Sequence, residues 1–346
     1  MSKQIIIDVF NGKKTDRVPV SFWYHFCKTS EFPQGLGNER LFRQTVEKHI
    51  EFARKLKLDL VKIMPDGYFT LPSLRGKDAS DVNVLKNLQP SDPQDPWFEE
   101  QLELIRQIKS GTGEEEAAYF YTIFSPLSLI AYSQFQFGKP ALQDEFLAGL
   151  FEREPEAITH ALETVTKDVR TFAERVLKEA GADGIFFAVR NYKKIDKSTY
   201  RKFIAPGEKE VLEAAAAIHD LTILHVCGGF GLTNDFSYYE DYPVKAVNWA
   251  VGVEKLSLGK GKELFKGKAV IGGFNNTSQS ILIHGSKEEI REETRRLIRE
   301  AGRDRLIIGA DCSLPTFEVI DEKLFWVREA ADELSKEELP PLIRAN

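Results

Sequence analysis

Three cysteines in 346 residues are too few, and odd in number, for a disulfide framework. They suit a reducing, cytoplasmic setting in which a thiol serves as a ligand or a nucleophile. No apolar run approaches the roughly 20 residues that a membrane span needs. The N-terminal run Gln4–Ile7 is cut off by Asp8 and does not read as a signal peptide. An excess of positive charge is also missing: the net charge is −6, which argues against a nucleic-acid surface and against a basic membrane patch. We find no internal repeat, no low-complexity tract, and no GxGxxG turn after the first strand-like segment.

What the sequence has is alternation. Short apolar runs read as strands at 17–25, 60–64, 117–124, 185–189, 222–227, 246–251, 268–274 and 305–310. Between them lie helical patterns. Residues 39–57 place Leu41, Thr45, Ile50, Ala53 and Leu56 on one side. Further helices are expected at 99–109, in one or two pieces over 127–151, at 155–180, at 196–218 with a break at Pro206, in a short piece within 252–265, and at 320–334. Ser286 with Glu289 three residues on predicts a capping box for a helix to Ala301. A short helix precedes the first strand. Eight strands alternating with helices predict a (β/α)8 TIM barrel of the α/β class, one domain over 1–346, with a short N-terminal helical extension. A doubly wound sheet is the structural alternative.

A barrel places its active site at the C-terminal ends of its strands. There the sequence puts His25, Asp66, Ser125, Arg190, His225, Cys227, Asn248, Asn275, Asp311 and Cys312. In a strand, residues i and i+2 share a face. His225 and Cys227 therefore project side by side, and Cys312 follows another strand end. One His and two Cys supply three soft ligands, which suits Zn2+ with one open position better than a closed structural site. The bland alternative is that the cysteines are small core residues and the histidine is merely hydrogen-bonded. Asp66 before Gly67 reads by default as a turn residue. Lys62, inside the second strand, needs a partner if it points inward. The remaining histidines, His49, His160, His219 and His284, read as surface or packing residues. The aromatic stretch Tyr132–Phe137 reads as packing or an oligomer contact, which leaves a homodimer open.

Several segments together resemble the uroporphyrinogen decarboxylase superfamily: Arg17–Val20 (RVPV), Leu224–Gly228 (LHVCG), Asn248-Trp249, Gly272–Asn275 (GGFN) and Gly309–Pro315 (GADCSLP). The resemblance spans essentially the whole chain and implies a (β/α)8 barrel. Two branches are then to be told apart. The decarboxylase branch carries an arginine-bearing motif after strand one, whose guanidinium groups meet substrate carboxylates. Here Ser21–Lys28 reads SFWYHFCK, with no arginine, and one lysine is a poor replacement for paired forks. Asp66 could match that branch's aspartate after strand two, but Asp311-Cys312 stands where it has a histidine.

The other branch is similar to this chain in its His-X-Cys pair and later cysteine. It moves a methyl group from methylcobalamin, delivered by a partner corrinoid protein, to a small thiol such as coenzyme M. The resemblance implies zinc at His225, Cys227 and Cys312. Beside them we assign catalytic roles to His25 and Asp66, and substrate contacts to Asn248, Asn275 and Asp311. A zinc-dependent methyltransferase is the expectation. Porphyrinogen decarboxylation and a non-enzymatic corrinoid- or metal-binding accessory role are the alternatives.

Overall fold

Strands covered on both faces are apolar throughout, and that pattern governs the computed structural model of this protein, which describes residues 2–228, 233–315 and 321–337. Eight strands form one parallel sheet: β1 (Val20–Ser21), β2 (Leu60–Ile63), β3 (Ala118–Phe124), β4 (Gly184–Val189), β5 (Thr222–Val226), β6 (Ala246–Trp249), β7 (Ala269–Phe274) and β8 (Leu306–Ala310). They are hydrogen-bonded in the order β1-β8-β7-β6-β5-β4-β3-β2, and nearly every strand residue is buried. Helices alternate with the strands, so the sheet curls into the expected (β/α)8 barrel.

Closure falls between β1 and β2, and side chains make most of it. The Val20 N–H donates to Asp59 Oδ2 at 3.0 Å, and Ser21 Oγ donates to the Leu60 carbonyl at 3.0 Å. One backbone bond, Asp59 N–H to the Val20 carbonyl at 3.3 Å, joins them. The Asp59 carboxylate is fully buried and is neutralised by Arg17, 2.7 Å away, and by Arg328 from the last helix, at 3.4 Å. At the opposite end from the mouth, the helix Ser2–Phe10 sets Phe10 against Phe120, with ring centroids 5.8 Å apart, and Lys3 pairs with Asp183 just before β4.

Two expectations are corrected. The first strand is two residues long rather than the nine of 17–25: beyond Ser21 the backbone leaves the ladder, and the Trp23 carbonyl accepts instead from Leu314 N–H in the loop after β8. Nor does Pro206 break its helix. A π-turn at Tyr200–Ile204 precedes it, with the Ala205 N–H bonded to the Tyr200 carbonyl five residues back. That wide turn makes room for the proline ring at the start of Ala205–Ala216, where a missing N–H costs little. The capping box forms as expected: Ser286 Oγ accepts from Glu289 N–H, and the Glu289 carboxylate accepts from Ser286 N–H.

Candidate metal centre at the barrel mouth

His225 is the fourth residue of β5, and Cys227 is the first residue beyond it. Cys312 lies two residues past β8. The barrel brings these strand ends together. One ligand atom from each of His225, Cys227 and Cys312 falls within 4.8 Å of the others. Cys312 Sγ stands 3.6 Å from His225 Nε2. His225 is buried, and both cysteines are half-buried and free of any disulfide.

Asn248 on β6 fixes the imidazole. Its Nδ2 donates to the carbonyls of Ile271, at 2.9 Å, and Ala310, at 3.1 Å. Both amide protons are thereby used, so Oδ1 can only accept. It lies 2.6 Å from His225 Nδ1, which must therefore carry the ring proton. Nε2 is left with its lone pair toward Cys312, the arrangement a metal ligand needs. The Cys312 thiol is held well below the usual range, first by the hydrogen bond with Cys227 and then by His225, against the opposing effect of burial. A thiolate is the ligating form. Donor types, tautomer and charge together fit a soft divalent ion.

The loops around these residues are tied down by acids. Asp311 accepts from Gly273 N–H at 2.9 Å and Gly252 N–H at 3.2 Å. Gly273 has φ +113°, and a Cβ there would come within 2.7 Å of Leu297, so this position near the end of β7 requires glycine. Glu254 accepts from the backbone and side-chain N–H groups of Asn234, whose Nδ2 also donates to the Cys227 carbonyl at 3.0 Å. The thiol-bearing turn is thus braced from outside. Of the glycine-rich run Gly228–Gly231, all but Gly228 lies outside the described residues.

Two of the three expected substrate contacts lie buried. Asn248 is fully buried with every polar atom engaged, and Asp311 is 1% exposed with both oxygens holding backbone N–H groups. They hold the His225 ring and the backbone around Cys312 in place. Asn275 remains half-buried beside Gly252, its Oδ1 accepting from Thr277 N–H.

Asp66 is more than a turn residue. It is 1% exposed, and its Oδ1 accepts from His25 Nδ1 at 2.7 Å while Oδ2 accepts from Phe26 N–H at 2.6 Å. His25 keeps 27% of its side chain exposed and packs on Phe32, centroids 4.7 Å apart. The stretch from Tyr132 to Phe137 joins this wall: Tyr132 stacks on Phe135, and Phe69 stacks on Phe32 at 4.3 Å. Arg190 is taken by Asp144 at 2.9 Å and lies over the Tyr192 ring. Ser125 serves as a helix cap, bonded to Ser128. His49 is a packing residue, its imidazole bridging the Thr45 carbonyl and Met64 N–H.

Fold and mouth together define a barrel whose mouth gathers one His and two Cys into a candidate soft-ligand site. Residues 64–333 match the pattern of the family described as uroporphyrinogen decarboxylase (URO-D), and the chain belongs to that family. No curated protein matches it in sequence. Among solved structures, a methyltransferase from Methanosarcina mazei is similar with a TM-score of 0.69 and 16% identity, over 96% of this chain and 98% of that one. A B12-independent methionine synthase from Shewanella sp. W3-18-1, in complex with selenomethionine, gives 0.59 and 14%, over 92% and 97%. A β-mannanase from the blue mussel Mytilus edulis gives 0.53 and 9%, over 92% of each chain. Such identities establish the shared barrel and leave the chemistry to the site. Among the described residues, no helix is long and apolar enough to cross a membrane.

Proposed function

We propose that this protein is a zinc-dependent methyltransferase that carries a methyl group from a methylcorrinoid, presented by a partner corrinoid protein, to a small thiol. The observation that supports it is the convergence of His225, Cys227 and Cys312 within 4.8 Å at the barrel mouth. These three residues would hold the ion. Zinc bound there supplies Lewis acidity, which brings the proton of a coordinated thiol off near neutral pH.

The chain's own residues do the rest. Asn248 holds the His225 ring in its ligating tautomer. His25, oriented by Asp66 and open to solvent on one side, is the group placed to accept a proton at the mouth. The aromatic wall of Phe32, Phe69 and Tyr132 gives a flat apolar substrate a dry face. In the transfer, sulfur supplies the electron pair of the new carbon–sulfur bond, and the pair of the broken carbon–cobalt bond stays with the corrinoid. The Methanosarcina neighbour's description as a methyltransferase agrees with this reading; the Shewanella neighbour is B12-independent, so the corrinoid donor rests on the sequence motifs.

Decarboxylation of a porphyrinogen fits the mouth less well. Ser21–Lys28 contains no arginine, Arg190 is spent on Asp144, and Asp66 is spent on His25 and Phe26. Elemental analysis with methyl-transfer assays tests the proposal. We expect about one zinc per chain, lost in Cys227→Ser together with transfer from methylcobalamin to thiol. Turnover of uroporphyrinogen that survives Cys312→Ser would replace this reading with the decarboxylase.

A further inference from the structure

One buried cation has no part in the scheme above. Lys62, on β2, is 4% exposed, and its ammonium lies 4.1 Å from the centroid of Phe186 and 4.8 Å from that of Trp23. It makes no hydrogen bond or ion pair among the described residues. Phe186 also faces His225, with ring centroids 5.5 Å apart. The ammonium and the imidazole of His225 thus pack on the same aromatic ring. The acidic groups within its electrostatic reach are Cys312, Cys227 and Asp66.

An unpaired ammonium in a low-dielectric interior is costly, and an apolar side chain of the same length would fill the space without that penalty. Aromatic faces offset part of the cost and hold the amine in place. They do not neutralise it. Of the anions nearby, Asp66 is engaged by His25 and Phe26, and the charge of two thiolates is cancelled by a divalent ion. The negative charge still without a counterpart is the one an acceptor thiolate brings.

We infer that Lys62 is a positioning residue for the acceptor. Its ammonium balances the charge of the thiolate that joins His225, Cys227 and Cys312, and so favours binding of the acceptor as an anion. The acceptor's proton leaves to solvent, and no bond to Lys62 forms. This inference rests on the metal-centre reading given above.

The test uses cobalt(II)-loaded protein and 2-mercaptoethanol, followed by the thiolate-to-cobalt charge-transfer band. Wild type, Lys62→Met and Lys62→Gln are compared at neutral pH, with metal content and melting temperature measured in parallel. We expect both variants to keep about one metal ion per chain. Their titration midpoints should rise at least ~10-fold, the equivalent of one pKa unit in the bound thiol. An unchanged midpoint in either folded variant overturns the inference. A purely structural lysine would lower the melting temperature and leave the midpoint where it was, and that outcome overturns it equally. Wild type that takes up no cobalt, or shows no thiolate band, fails the metal-centre reading itself, and the role of Lys62 falls with it. The two failures are distinct, since one is seen in wild type and the other only in the variants.

Discussion

His225 Nδ1 and Asn248 Oδ1 lie 2.6 Å apart, and that contact decides which ring nitrogen faces the two thiols. The decision is made two steps away, by the carbonyls of Ile271 and Ala310, which claim both amide protons of Asn248. Four strands, β5 to β8, thus cooperate to present one lone pair. Replacing Asn248 by leucine keeps the volume and removes the acceptor. We expect metal affinity, measured by competition with a chelator, to fall ~10- to 100-fold, as is usual when the partner of a ligating histidine is lost. Affinity within about twofold of wild type would mean that the ring is oriented by packing on Phe186 alone.

In the proposed reaction the contact between His25 and Asp66 serves proton transfer and does not touch the metal ligands. Asp66→Asn removes the carboxylate that orients the imidazole. Methyl transfer should drop by about two orders of magnitude while metal content is unchanged. His25→Ala should cost a similar factor, and the double variant should be no worse than the single one, because the pair acts as a unit. Additive losses in kcat/KM would show that the two side chains work separately.

Glu208 gives a pH dependence that can be isolated. It is buried on the helix Ala205–Ala216 and accepts from the hydroxyls of Tyr200, at 2.7 Å, and Tyr242, at 2.5 Å. Burial raises its pKa from the ordinary 4.5 to about 7, against the pull of those hydroxyls. The folded protein therefore binds this proton more tightly than the unfolded chain does. The stabilising contribution is complete below the unfolded pKa and disappears as pH rises through about 7. Glu208→Gln should remove the effect. The stability gap between wild type and variant, from urea melts, should shift by about 3 kcal/mol between roughly pH 4.5 and 8, in favour of the variant at the higher pH. Parallel stability curves would refute it.

Much of the barrel was legible because parallel strands are buried on both faces and leave unbroken apolar runs. Their ends were mostly right to within a residue or two. The first strand misled, since its apolar residues Phe22, Trp23 and Tyr24 are buried by side chains such as Phe274, Phe186 and Phe52 without joining the ladder themselves. Period-two logic placed His225 beside Cys227, and the strand count brought Cys312 to the same rim. That logic could not orient Lys62, because a strand apolar on both sides gives no inward signal. Nor could it find Asn234, on a loop, or Glu254, at the end of the one-turn helix Val251–Glu254. For Asn248 and Asp311 it gave the location and could not give the hydrogen-bond partners: a polar residue at a strand end looks the same in sequence whether it meets a substrate or a neighbouring backbone.

The closure between β1 and β2 has a consequence for how this protein could be rebuilt. The other seven strand junctions are stitched along a backbone ladder, whereas this one depends chiefly on the Asp59 carboxylate, the Ser21 hydroxyl and two arginines. It is a clasp on a hoop. New chain termini placed on the loop between β1 and the helix Glu39–Leu56 would open the hoop at its clasp and leave His225, Cys227 and Cys312 on an unbroken stretch of ladder from β4 to β8.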